Sequence, residues 1–137
     1  MRTRLLLLIL GSTLLWTPHM VNAQDIRQKR LVWTAHQVTD QQSKSSRSYD
    51  CQFKSRETFI EWIQKSGEVR AVYNIVEAKG EWPNIALPGS IEFLVERKGK
   101  SGRIRFERTE SNVFVTLDFS QPGSQAFVQK FEIKSVQ

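Results

Sequence analysis

The stretch that decides the fold is SIEFLVERKGKSGRIRFERTESNVFVTLDF, residues 90–119. Apolar and polar residues alternate along 90–97, 103–108 and 113–119, and each run has the length of a β-strand. The turns between them are short, so neighbouring strands must be antiparallel. The alternation predicts one buried face and one wet face. The residues predicted to face inward are Ile91, Phe93, Val95, Ile104, Phe106, Val113, Val115, Leu117 and Phe119.

Further segments of the chain carry the same signal, because they are rich in β-branched and aromatic residues. They are 31–39, 49–53, 69–78 and 127–136. The polar, low-complexity segment 41–48 joins the first two and predicts a hairpin. In the second strand Tyr49, Cys51 and Phe53 share a face, and in the last strand Phe127, Phe131 and Ile133 are predicted to face inward.

Residues 55–67, SRETFIEWIQKSG, interrupt the strand pattern. The apolar residues Phe59, Ile60, Trp62 and Ile63 recur at three- and four-residue spacing, which predicts an amphipathic helix. The Ser55 hydroxyl is a candidate N-cap, and Gly67 can adopt the left-handed conformation that ends a helix.

The predicted fold class is therefore mainly β (α+β). We expect an antiparallel β-meander of about seven strands that forms a small barrel or sandwich, with one α-helix inserted after strand two. The chain resembles the many short exported β-rich proteins of Gram-negative bacteria, and no motif ties it to a named family.

The N-terminus, MRTRLLLLILGSTLLWTPHMVNAQ, has the pattern of a secretory signal peptide. Arg2 and Arg4 precede a short apolar run, and small residues precede a cleavage site that we place after Ala23. We therefore expect residues 1–23 to be removed and 24–137 to form a single exported domain, periplasmic or secreted. The apolar run is shorter than the roughly 20 residues of a membrane span, so we expect no transmembrane segment after signal removal.

The charge composition limits the kinds of molecule that the protein is expected to bind. The 137-residue chain has a formal charge of +6. Removal of Arg2 and Arg4 leaves 18 basic residues against 14 acidic ones, or +4 for the mature chain. The charges are interspersed rather than gathered in a basic arm, so no nucleic-acid partner is expected, whereas an anionic surface, a polysaccharide or an acidic protein is permitted.

Cys51 is the only cysteine, and it has no partner for an intramolecular disulfide. A catalytic thiol needs a base, and the mature chain offers only His36. We interpret Cys51 as a small apolar core residue. A buried serine hydroxyl wants a partner, so we expect Cys51→Ser to cost at least as much stability as Cys51→Ala. One cysteine and one histidine do not make a zinc site, and phosphate-binding glycine motifs are absent, so no metal and no cofactor are expected.

Enzymatic activity is uncertain and is not the favoured hypothesis. A carboxylate-dependent hydrolase needs only two acids across a cleft, and Glu77 and Glu81 beside the loop 79–90 are candidates. The acidic residues are numerous enough to supply such a pair by chance, so no catalytic residue is assigned.

The candidate ligand-binding residues are two tryptophans and two arginines. Trp82 lies in a loop beside a proline and could stack on a ligand or close a barrel end. Trp33 could belong to the core or line a cavity. Arg103 and Arg105 share the outward face of the fifth predicted strand and could meet an anionic partner, or could pair with nearby glutamates.

The favoured function is a non-enzymatic exported binding or accessory domain. The alternatives are a small carrier of an apolar ligand, with a cavity in the barrel, and the carboxylate-dependent hydrolase. A carrier needs an apolar pocket of about 300 Å³ or more, which distinguishes it from the other two.

Overall fold

The structure is a computed structural model that describes residues 25–137, so the predicted signal peptide and its cleavage site lie outside the described residues. A short 3₁₀ helix, Ile26–Gln28, precedes eight β-strands. The strands are β1 (Leu31–Asp40), β2 (Ser46–Ser55), β3 (Phe59–Gln64), β4 (Val69–Lys79), β5 (Gly89–Arg97), β6 (Lys100–Arg108), β7 (Val113–Asp118) and β8 (Val128–Val136).

The strands form a closed barrel in chain order. Each strand pairs antiparallel with the next, and β8 pairs with β1. The fold is therefore mainly β, as predicted, and it is a barrel and not a sandwich. The tightest connection is the turn Lys98-Gly99 between β5 and β6, where both residues have positive φ (50° and 74°). Such a two-residue turn matches the twist of a hairpin and sets the register in which Arg97 faces Lys100.

The predicted helix over 55–67 is wrong, because this segment contains strand β3. Ile60 and Trp62 face the interior, while Phe59, which is partly buried, and Ile63, which is buried, lie on the other face and hide the two-residue period. Ser55 and Gly67, which were proposed as the ends of the helix, have other roles in the barrel. The Ser55 hydroxyl accepts a hydrogen bond from the Trp33 indole N–H (2.9 Å), and Gly67, with φ of 87°, lies in the β3–β4 turn.

The barrel interior is filled by the residues that the alternation identified. All the predicted inward residues of 90–117 are buried, and so are Cys51, Phe53, Phe131 and Ile133. Two aromatic predictions differ at the β7–β8 connection. Phe119 is only partly buried, and Phe127 is 45% exposed, because β7 ends at Asp118 and β8 begins at Val128.

One end of the barrel is closed by side chains from outside the strands. Trp82, from the β4–β5 loop, is only 2% exposed and lies 6.0 Å from Trp33, between ring centroids. Its indole N–H donates to the Leu87 carbonyl (2.9 Å), and the Arg108 Nε donates to the Ile85 carbonyl (2.7 Å), so the loop is fastened over this end. The 3₁₀ helix that precedes β1 contributes the buried Ile26 at the same end.

The other end of the barrel is open. It is formed by the β1–β2, β3–β4, β5–β6 and β7–β8 connections, whereas the chain enters β1 and leaves β8 at the closed end. No helix within residues 25–137 is long and apolar enough to cross a membrane.

Candidate functional site: the open mouth of the barrel

The open end holds a cavity with a volume of about 570 Å³. A second compartment of about 340 Å³ adjoins it and shares Trp62, Arg70 and Phe127 with it. The β7–β8 connection supplies part of the lining of the larger compartment, including Gln121 and Ser124. The volumes fall in the range of small-molecule sites in proteins.

An aromatic collar lines this mouth. The Tyr73 and Phe119 rings lie 5.3 Å apart, and Trp62 packs on Phe53 (5.8 Å) and Phe131 (5.5 Å) beneath the opening. The Phe119 ring can reach Tyr73 because position 102 is glycine: a Cβ on Gly102 would lie 2.3 Å from the Phe119 ring. Phe127, at the border of the two compartments, leaves an apolar ring open to solvent.

A group of basic residues surrounds the collar, and three of its members follow from strand alternation. In β2, β5 and β6 the inward-facing positions hold apolar residues or glycine through most of the barrel. At the mouth end the next inward positions hold Arg47, Arg97 and Lys100. The interior therefore changes from apolar to cationic within one or two residues of the rim.

The fourth cation, Arg70, reaches the mouth through a β-bulge. Ile63 pairs with Val69 and Trp62 pairs with Ala71, which leaves Arg70 as the extra residue of β4. Bulges redirect a side chain that regular pairing would hold on the outer face. Here the Arg70 guanidinium lies over the Trp62 indole, with Cζ 4.8 Å from the ring centroid.

Tyr73 lies beneath two of these guanidiniums. Burial raises the pKa of the Tyr73 hydroxyl, while the positive charges of Arg97 and Arg70 act in the opposite direction. The hydroxyl is therefore protonated at neutral pH, and it is a hydrogen-bond donor at the floor of a positively charged opening.

Cys51 is buried below the mouth, as predicted. Burial raises the pKa of its thiol to about 12, and the neighbouring Trp62 indole N–H opposes this rise. That N–H has no hydrogen-bond partner of ordinary geometry within residues 25–137. At neutral pH the Cys51 thiol is therefore protonated, and Cys51 serves as a packing residue. Its sulfur is only a weak hydrogen-bond acceptor for the neighbouring Trp62 N–H.

The predicted site tryptophans lie away from the mouth. Trp82 closes the opposite end, and Trp33 is buried beneath it, 4.6 Å from Phe106. Both belong to one packed aromatic group, and neither lines the mouth cavity. Their assignment as ligand contacts stays a prediction.

Arg103 and Arg105 lie on the outer wall of the barrel, as the alternation predicted. Both are exposed, and an Arg105 Nη2 lies 3.7 Å from Glu107 Oε2. Arg105 is also opposite Glu92 on β5, and Arg103 is opposite Asp118 on β7. Carboxylates therefore surround this pair, and its role in binding an anion likewise stays a prediction.

The residues considered for catalysis lie outside the mouth of the barrel. Glu77 and Glu81 are exposed near the closed end, and neither lines the mouth cavity. His36 lies at a β1 bulge with its Nε2 3.9 Å from Glu132. Within residues 25–137 no group of three or more His, Cys, Asp or Glu side chains is arranged to hold a metal ion.

The mouth residues were missed, although the sequence held part of the signal. Continuing the inward series 91, 93, 95 by one step reaches Arg97, and the series 106, 104, 102 read backwards reaches Lys100. Neither residue is among the four candidate ligand-binding residues named from the sequence. Arg70 carried no such signal, because its direction depends on a bulge that the strand pattern does not reveal.

Together the fold and the site define a closed eight-stranded antiparallel barrel with one plugged end and one open, cationic and aromatic mouth. Comparison with known proteins found no matching family model, no similar curated protein and no similar solved structure.

Proposed function

We propose that this protein is an exported, non-enzymatic carrier or receptor that binds a small organic molecule in the open mouth of its barrel. The observation that carries the proposal is the difference between the two ends. One end is closed by Trp82 and Ile26, whereas the other holds a recess of about 570 Å³. A recess lined by aromatic side chains with a few polar groups is the usual form of a ligand site.

The interior below the recess favours this class over a hydrolase. The barrel is packed with apolar side chains up to Phe53 and Phe131, so the mouth is a shallow cup with a firm floor. Aromatic and basic side chains predominate among the described residues that line the mouth. None of these lining residues is an aspartate or a glutamate. A glycosidase-type mechanism needs two acids across the cleft, which this cup does not supply.

A filling mutation tests the proposal. Ala71 lies on the inward face of β4 and lines the mouth, so Ala71→Phe should occupy part of the recess. Val72→Phe is the matched control, since the next residue faces outward and is exposed. We expect small aromatic fragments to shift the amide resonances of Trp62, Tyr73 and Phe127 in two-dimensional NMR spectra. Ala71→Phe should abolish these shifts, and Val72→Phe should leave them.

Thermal melting of both variants separates blocking from unfolding. Fragments that bind only near Trp33 and Trp82, or binding that survives Ala71→Phe in a folded protein, would refute the mouth as the site.

Export is a separate part of the proposal, supported by the N-terminal pattern alone. Expression of the full chain in a Gram-negative host should yield periplasmic or secreted protein that begins at Gln24. N-terminal mass spectrometry checks this, and full-length protein retained in the inner membrane would contradict it.

A further inference from the structure

We infer that the molecule held in the mouth is an organic anion with a ring-containing apolar body. Its anionic group lies among Arg70, Arg97 and Lys100, and its body lies against Phe119 and Phe127. This inference rests on the proposed function and names the chemistry of the ligand. It is argued from the placement, pairing and orientation of the mouth cations.

The cations converge without compensating charge. Within residues 25–137, no carboxylate lies within 4.0 Å of a charged nitrogen of Arg47, Arg70, Arg97 or Lys100. Four basic residues elsewhere on the barrel, Arg27, Arg56, Lys65 and Arg105, have a carboxylate within this distance. The mouth cations are set apart by their position, because they gather around adjoining compartments that no carboxylate lines. Four uncompensated cations around one recess repel one another and create a positive potential that a bound anion would relieve.

The guanidiniums are held in position before any ligand arrives. Arg70 lies on Trp62, Arg47 lies over the Tyr49 ring at 4.9 Å, and an Arg97 Nη2 approaches the Arg70 carbonyl at 3.5 Å. A guanidinium that stacks on a ring still has its in-plane N–H groups free to donate. These donors match the two oxygens of a carboxylate or sulfonate, and the Tyr73 hydroxyl below can add another.

The rest of the recess favours an apolar body. Phe127 exposes 45% of its surface at the border of the two compartments, and Phe119 and Tyr73 also line the larger one. A free inorganic anion would leave these rings in water, whereas an amphipathic anion covers them. A concave recess of about 570 Å³ also suits a small molecule better than the flat face of a macromolecule.

A pair of fluorescent probes tests the charge requirement. Anilinonaphthalene sulfonate and phenylnaphthylamine share one ring system and differ by the sulfonate. We expect the sulfonate to bind the full mature protein about tenfold or more tightly than the neutral probe, as charge-assisted hydrogen bonds imply. Since the rim charges are solvent-accessible, about 0.5 M sodium chloride should remove much of this preference.

Matched double variants locate the charge. Arg70→Gln/Arg97→Gln should reduce the preference for the sulfonate to about threefold or less. Arg103→Gln/Arg105→Gln removes the same charge from the outer wall and should leave the preference unchanged. Circular dichroism verifies the fold of both variants. If the first pair fails to fold, the single variant Lys100→Gln serves in its place and should lower the preference part of the way.

The outcomes separate the two proposals. If both probes bound with equal affinity and Ala71→Phe abolished the binding of both, the anion inference would be overturned. The proposed function as a carrier would stand. Loss of the preference in the Arg103/Arg105 variant alone would overturn it too, because the anion would then bind outside the barrel. If neither probe bound in the mouth, the result would count against the proposed function itself.

Discussion

The guanidinium of Arg70 covers the indole of Trp62 at the barrel mouth, with Cζ 4.8 Å from the ring centroid. Trp33 and Trp82 are buried at the other end, so Trp62 is the tryptophan that reports on the mouth. Truncation in Arg70→Ala should expose the indole, shift its emission to longer wavelength and increase quenching by acrylamide.

The stability cost of Arg70→Ala should be small, about 0.5–1 kcal/mol, since Arg70 is exposed and a cation–π contact is worth little there. Arg103→Ala is the control, because it removes a guanidinium from the outer wall. Unchanged emission and quenching in Arg70→Ala would mean that the guanidinium does not cover Trp62 in solution.

The close approach of Gly102 and Phe119 gives a second prediction. A methyl group on Gly102 would meet the Phe119 ring at 2.3 Å, so Gly102→Ala must push the ring away from Tyr73. Overpacking typically costs 1–3 kcal/mol, and we expect about 1 kcal/mol because Phe119 is only partly buried and can move.

Probe affinity should fall further than stability in Gly102→Ala, because the displaced ring forms one wall of the recess. Fluorescence titration and urea denaturation measure the two effects. Ser101→Ala, one exposed position away, should change neither. A Gly102→Ala protein that binds like the wild type would exclude Phe119 from the site.

The third prediction concerns Trp82 as a plug. Trp82→Ala should destabilise the protein by about 3–5 kcal/mol, because it leaves a large cavity at the closed end. Trp82→Phe should cost clearly less, since it keeps an aromatic ring and loses chiefly the hydrogen bond to the Leu87 carbonyl. Urea denaturation gives both values.

Mouth binding should survive in folded Trp82→Phe. If this variant were as stable as the wild type and bound no probe, Trp82 would be a ligand contact, as first considered from its place in a loop.

The thiol of Cys51 gives a fourth prediction. Cys51→Ala should cost about 1 kcal/mol through lost packing. Cys51→Ser should cost less, because its hydroxyl can accept from the Trp62 N–H, which has no ordinary partner among residues 25–137. This order reverses the one predicted from sequence, which lacked the neighbouring donor. Chemical denaturation of both variants decides between the two orders.

Stability should also depend on alkaline pH through this thiol. Its folded pKa of about 12 is above the ordinary value of 9.0, so the unfolded chain loses the proton first as pH rises. The contribution is complete below about pH 9 and is lost as pH rises from there towards 12. Urea denaturation between pH 7.5 and 10.5 should therefore show the advantage of wild type over Cys51→Ala shrinking. A constant difference would contradict the burial of the thiol.

Strand alternation was sufficient to predict most of the barrel. The inward residues of β5, β6 and β7 repeat every second position, and the short turns admit only antiparallel neighbours. The period failed at β3, where Phe59 and Ile63 place apolar groups on the outer face. Closure could not be deduced either, since the pairing of β8 with β1 joins the two ends of the described chain.

The candidate site was harder to predict than the fold. The local sequence allows Trp82 either to stack on a ligand or to close a barrel end, and only the fold shows that it closes one. Arg103 and Arg105 share one face of a single strand, which the sequence shows directly. Arg97 and Lys100 join Arg70 around one recess only when the strands close into a barrel and carry them to the same rim.

The pairing of the first and last strands also fixes how the molecule can be tethered. The backbone of Val32 exchanges hydrogen bonds of 2.7 and 2.9 Å with Gln137 at the plugged end. A surface, label or fused partner attached next to residue 25 or residue 137 therefore meets the barrel at the plugged end. Immobilised molecules would all present the opening to the surrounding solution, and a linker joining the termini would yield circular permutants with new ends in a rim loop.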